Sequence, residues 1–111
     1  MKLKLSENQL IGLNRTFVNA YQDSIENAGN DILDFNDVIW NDDIDEIVEI
    51  CKKFEIKEFT ISVPMGSLMG ALENFETRGF KVVGLTKAKT RYKNWRTGQQ
   101  EIVPAIKLKL Q

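Results

Sequence analysis

The chain has 111 residues, 42% of them apolar and 28% charged, with a formal net charge of −1. That length and balance suit one domain, spanning residues 1–111, with a core of its own, and they exclude extensive disorder. No apolar run approaches the roughly 20 residues of a membrane-spanning helix. The N-terminus passes from Lys2 and Lys4 into polar Ser6-Glu7-Asn8-Gln9 without the apolar stretch of a secretory signal. A cytoplasmic protein with no membrane association is expected, and the single cysteine, Cys51, agrees with a reducing compartment because it can close no internal disulfide.

In chain order, Ser6 and Gln9 have the spacing of a capping box, and Leu10, Leu13, Phe17, Tyr21 and Ile25 follow at helical intervals. This pattern predicts one helix over about 7–27, stopped by Gly29-Asn30. Asp31 to Asn36 reads as a connection or a short strand. Asn41-Asp42-Asp43 starts a second helix with acids in its first turn, where the helix dipole favours them. Its buried stripe is Trp40, Ile44, Ile47, Val48, Cys51 and Phe54.

Glu58 to Val63 alternates as a strand, with Phe59, Ile61 and Val63 on one face, and Pro64 ends it. Ser67 caps a third helix with Leu68, Leu72 and Phe75 inward, and Arg78-Gly79-Phe80 carries the signature of a left-handed glycine stop. From Phe80 a long alternating strand sets Lys81, Lys87, Lys89, Arg91 and Lys93 on one face. Asn94 to Gly98 makes a turn, and Glu101 to Leu110 returns with Lys107 and Lys109 on that same face. Pro104 predicts an edge or a bulge in this last strand, because proline cannot donate to a ladder. The expected fold is α+β, in the order α-α-β-α-β-β. A small mixed or antiparallel sheet of three to four strands, ending in a β-hairpin, packs against three helices that cover one side. Met1 to Leu5 is a candidate edge strand.

The sequence has no histidine, which removes the commonest general base and metal ligand. The acids Asp42, Asp43, Asp45, Glu46 and Glu49 lack the glycine and spacing of a calcium loop and read as a solvated helix face. Glu55-Ile56-Lys57 matches a nuclease fragment of three residues, but it precedes its strand. Cys51 lies in an apolar stripe and reads as a core thiol. No enzyme, cofactor or metal is expected.

The charges are segregated. Residues 1–80 carry 7 Lys and Arg against 15 Asp and Glu, whereas residues 81–111 carry 8 against 1. Lys87, Lys89, Arg91, Lys93, Lys107 and Lys109, with Tyr92, Trp95 and Arg96 near the tip, combine cations that follow phosphates with aromatics that stack bases. Lysine that guards a sheet edge against aggregation gives the same pattern. So does an acidic protein partner, including a second copy that offers its acidic helix in a homodimer.

From Asp34 to Leu110 the chain resembles a family of uncharacterised small proteins from phages and mobile elements of low-GC Gram-positive bacteria. The resemblance rests on Phe35 to Ile44, Glu58 to Ser62, Gly79-Phe80, Gly84-Leu85-Thr86, Arg91-Tyr92, Trp95 to Gly98 and Pro104-Ala105-Ile106. It implies a small accessory protein that binds host or element machinery. The specific expectation is an anti-CRISPR-type inhibitor of a host RNA-guided defence nuclease. On that expectation the acidic face acts as a DNA mimic or the basic hairpin grips guide RNA; the alternative is a nucleic-acid-binding accessory protein that acts through the hairpin.

Overall fold

The computed structural model describes residues 2–63 and 66–111. The first helical region is not continuous. Helix α1 (Glu7–Leu10) has the expected capping box, with Ser6 Oγ accepting from the Gln9 amide and Gln9 Oε1 accepting from the Ser6 amide. It stops at Ile11, and Gly12 takes φ +79°, a left-handed turn that glycine adopts without steric cost. Asn14 then caps helix α2 (Arg15–Tyr21) by accepting from the Phe17 amide. The expected helix over 7–27 is therefore broken by a Gly-Leu-Asn start signal within its own periodicity. Beyond Tyr21 the chain widens into a π-helical segment (Gln22–Asn27). There the Ser24 hydroxyl donates to the Ala20 carbonyl at 2.6 Å and accepts from the Asp34 amide at 3.1 Å.

Residues 2–5 run alongside this unit without becoming a strand of the sheet. The Leu3 amide donates to the Asp31 carbonyl, and the Tyr21 hydroxyl bonds both the amide and the carbonyl of Leu5. The short strand β1 (Leu33–Phe35) does form and pairs in parallel with β2 (Glu58–Ile61). Parallel pairing demands a crossover, and helix α3 (Asn41–Lys53) supplies it. Ile44, Ile47, Val48, Ile50 and Cys51 of α3 are buried, while Trp40, expected in that stripe, precedes the helix at its N-cap position and is 68% exposed. Helix α4 (Leu68–Thr77) leads to Gly79 at φ +98°, the expected left-handed stop, with Leu110 packed against it. The expected stop at Pro64 lies outside the described residues. No described helix is long and apolar enough to cross a membrane.

Strand β3 (Phe80–Lys93) and strand β4 (Gln100–Leu110) form the hairpin, with Gly98 at φ +71° in its turn. The sheet order is β1-β2-β4-β3, which makes it a mixed four-stranded sheet within an α+β fold. Phe59 sits at its centre, with ring centroids of Phe35, Phe75 and Phe80 at 5.4, 5.0 and 5.1 Å. Leu33, Phe59, Ile61, Phe80 and Leu108 join the α3 and α4 stripes in one apolar cluster. Ala28, Ala88, Ala105 and Thr90 are buried outside that cluster. Register puts Ala88 and Ala105 on the opposite sheet face, Thr90 lines the cleft there with Ser24 and Asp34, and the π-helical segment packs against β3 on that side. Helices therefore meet both faces, not the single face expected.

Two register details decide how the hairpin is presented. Val82 pairs with Leu108 and Gly84 with Lys107, so Val83 is an extra residue, a β-bulge. Pro104 pairs with Lys87, beyond Ile61, the last β2 residue to pair with β4. The proline therefore lies on a strand that is internal at 106–109 and overhangs its neighbour here. The bulge itself is on β3, not at the proline.

Helix α3 ends with Glu55 at φ +58°, while the Ile56 amide donates to the Cys51 carbonyl at 2.8 Å. A side chain in the left-handed region costs about 1–2 kcal/mol, and glycine there returns about 0.4–1 kcal/mol to the unfolded chain. Glu55→Gly should therefore stabilise the protein by about 0.5–1 kcal/mol, read as a higher urea midpoint with an unchanged slope.

Candidate binding surface and the cleft beside it

The bulge sorts the hairpin cations. Residues directly opposite in a ladder share a face, and one inserted residue moves all later side chains to the other face. Lys81 pairs with Lys109 and Gly84 with Lys107, whereas Lys87 pairs with Pro104 and Lys89 with Ile102. Lys87 and Lys89 thus share the face of Ile106 and Leu108, and Lys107 and Lys109 stand on the reverse face. The expected common face for all seven cations does not form, because the uninterrupted alternation that placed them is broken at Val83.

Ion pairing divides them further. Lys107 and Lys109 lie 3.5 and 3.9 Å from Glu58, and Arg91 lies 3.3 Å from Asp23. The Arg91 guanidinium also covers the Tyr92 ring at 5.1 Å and donates to its hydroxyl; that bond and the nearby Asp23 carboxylate favour its charged form. Among the described residues no ion pair engages Lys87, Lys89, Lys93 or Arg96. At the tip, Asn94 Oδ1 accepts from the Arg96 and Thr97 amides and fixes the turn. Trp95 is 85% exposed, with the Arg96 guanidinium 4.9 Å above its ring. Leu85 and Ile102 are exposed on the same face as Lys87 and Lys89.

The acidic residues of α3 are less available than their spacing suggested. Asp43 accepts from Asn14 and Thr16, Glu46 accepts from Asn14, and Asp45 pairs with Arg78. Asp42 and Glu49 are exposed. Cys51 is fully buried, and burial pushes its thiol up to about 12, which makes it inert as a nucleophile.

On the reverse side of β3 is a polar cleft of about 190 Å³ whose lining includes Asp23, Asp34, Asp37, Lys89 and Arg91. Asp34 lies beneath it, 2% exposed, accepting from Thr60 Oγ1 at 2.6 Å and from Ser62 Oγ at 2.7 Å. Asn36 donates in turn to Ser62 Oγ. Burial raises the Asp34 pKa, and the two hydroxyl donors oppose that shift. Among the described residues no cluster of three or more His, Cys, Asp or Glu could hold a metal. Sequence reasoning passed over Asp34, although a single carboxylate inside Ile32-Leu33-Asp34-Phe35 was a usable signal. It also passed over Asn30, whose amide accepts from the Lys89 N–H at 2.9 Å and donates to the Lys89 carbonyl at 2.8 Å. That side chain fills the place of a strand on the outer edge of β3.

Residues 16–110 match the model of a protein family described as a domain of unknown function, DUF7698. The match takes in α2 and the π-helical segment, which the resemblance starting at Asp34 left outside. No curated protein and no solved structure matches the chain.

A carboxyl whose folded pKa lies above its ordinary value holds its proton more tightly when folded. Stability should therefore fall as pH rises from 3.8 through the raised Asp34 value. Asp34→Asn should flatten that part of the profile, measured as urea midpoints across a pH series. Asn30→Ala should speed amide exchange at Lys89 by at least tenfold and leave Leu108 protected, because only the outer edge loses its partner.

Proposed function

The chain belongs to the DUF7698 family, and from that premise we propose a non-catalytic binding protein whose contact element is the open face of the β3–β4 hairpin, with a nucleic acid as its partner. The observation that carries this reading is the group of cations without acidic partners among the described residues: Lys87, Lys89, Lys93 and Arg96, all in the distal half of the hairpin beside the exposed Trp95. Of the other hairpin cations, Arg91, Lys107 and Lys109 pair with carboxylates, and Lys81, near the base, donates to the Glu76 carbonyl. Unpaired cations on a rigid strand are preorganised for phosphates and release counterions when they bind.

The resemblance drawn from the sequence adds a setting, the accessory proteins of phages and mobile elements. In that setting the nucleic acid is the guide RNA or target DNA of a host RNA-guided nuclease, and the chain is an anti-CRISPR-type inhibitor that occupies it. A DNA-mimicking face on α3 has less support, since Asp43, Asp45 and Glu46 already hold α2 and α4 in place.

Reversing Lys87 and Lys89 together to Glu should abolish binding to labelled oligonucleotides at low salt. Replacing both with Ala should reduce the slope of log affinity against log salt by about 1.4 for a single strand. Lys107→Ala with Lys109→Ala, on the reverse face, should change affinity less than threefold. No binding by the unaltered protein at low salt overturns the reading. A plasmid-interference assay with and without the protein tests the inhibitor role.

A further inference from the structure

The open face of the hairpin has two lanes of different chemistry. Along β3 it presents Leu85, Lys87 and Lys89; directly across on β4 stand Ile106, Pro104 and Ile102. Each lysine thus faces an apolar side chain about 5 Å away on the neighbouring strand, and each step along a lane advances about 6.6 Å. Leu85 is 83% exposed and Ile102 58%. The hairpin then ends at Trp95 with its ring open to solvent.

Edge protection accounts for lysines but not for the apolar lane. A face built only to repel other strands gains nothing from an exposed leucine and isoleucine between its charges, and exposed apolar groups on a folded domain mark contact sites. A duplex does not use such a lane either. Its exterior offers phosphate and sugar, and its major groove, although wide enough for a β-ribbon, displays base edges that call for hydrogen-bonding side chains. A single strand presents a charged backbone on one side and unstacked base faces on the other, and those faces gain from apolar and aromatic surface whatever their sequence.

On the reading of the hairpin as a nucleic-acid surface, we propose that its ligand is single-stranded, with phosphates tracking Lys87 and Lys89 and bases lying over Pro104 and Ile102 toward a stack on Trp95.

The test uses the full chain carrying Trp40→Phe, which leaves Trp95 as its one tryptophan. Oligo-dT, oligo-rU and a mixed-sequence duplex of equal length are titrated at low salt while Trp95 fluorescence is followed. Single strands should quench Trp95 and bind at least tenfold tighter than the duplex. Ile102→Thr, and Trp95→Phe or Trp95→Ala followed by anisotropy of a labelled strand, separate stacking from charge. The alanine and threonine variants should weaken single-strand binding about tenfold while phenylalanine retains most of it, and none should alter duplex binding. The dT and rU arms show whether one sugar is preferred, and binding of either supports the proposal. Equal affinity for duplex and single strand, or single-strand binding unmoved by Trp95→Ala and Ile102→Thr, overturns it and leaves the electrostatic reading standing. Absence of binding to every probe overturns both.

Discussion

In an antiparallel ladder the side-chain period of two leaves no slack, so a single inserted residue reassigns every side chain that follows it. Val83 is that residue, and the arrangement of the hairpin depends on it. Before the bulge, Phe80 and Val82 face the helices. After it, the small residues Ala88 and Thr90 turn to the reverse face, where the π-helical segment closes over them, and Lys87 and Lys89 turn outward on the other. Without the offset, the lysines would be driven toward the packed π-helical segment and the small side chains would be left in solvent. Gly84, at φ +150°, follows the bulged residue and lets the backbone absorb the offset.

The acidic half of the chain is organised differently. Its carboxylates are spent on internal joints: Asp43 and Glu46 hold the start of α2, Asp45 holds Arg78 at the end of α4, Glu58 holds two lysines, and Asp23 holds Arg91. These are exposed or half-exposed contacts, each worth little alone. Their combined effect is positional, and it leaves the uncompensated positive charge at the distal end of the hairpin. The segregation visible along the chain thus becomes a gradient in space, with a body rich in acids and a basic extremity.

Much of the fold was legible because local signals agree with it. The Ser6 and Gln9 capping box, the acidic start of α3, the Phe59 alternation, the Gly79 stop and the Gly98 turn each stand where residue chemistry placed them. What was misread has a common cause. The helix break at Gly12, the placement of Trp40 and the reverse-face position of Lys107 and Lys109 all arise where a periodic pattern is continued through a residue that interrupts it. Periodicity assigns faces, but an interruption resets the phase, and only tertiary packing shows where the reset falls. Asn30 and the partner of Asp34 were missed for another reason: the lone carboxylate of Asp34 in an apolar run was legible, but its bond to Thr60 spans 26 residues and that of Asn30 to Lys89 spans 59, and no local pattern encodes a partner at that distance.

Asn30 also changes what the lysines have to do. A sheet that ends on a long strand invites another chain to extend it, and the usual deterrent is charge along the edge. Here one carboxamide bonds both polar groups of Lys89, so an incoming strand meets an occupied position partway along and cannot continue in register. Growth by edge copying is blocked by a plug made of the protein's own amide. With that safeguard in place, keeping other strands off this edge does not rest on the ammonium groups beside it.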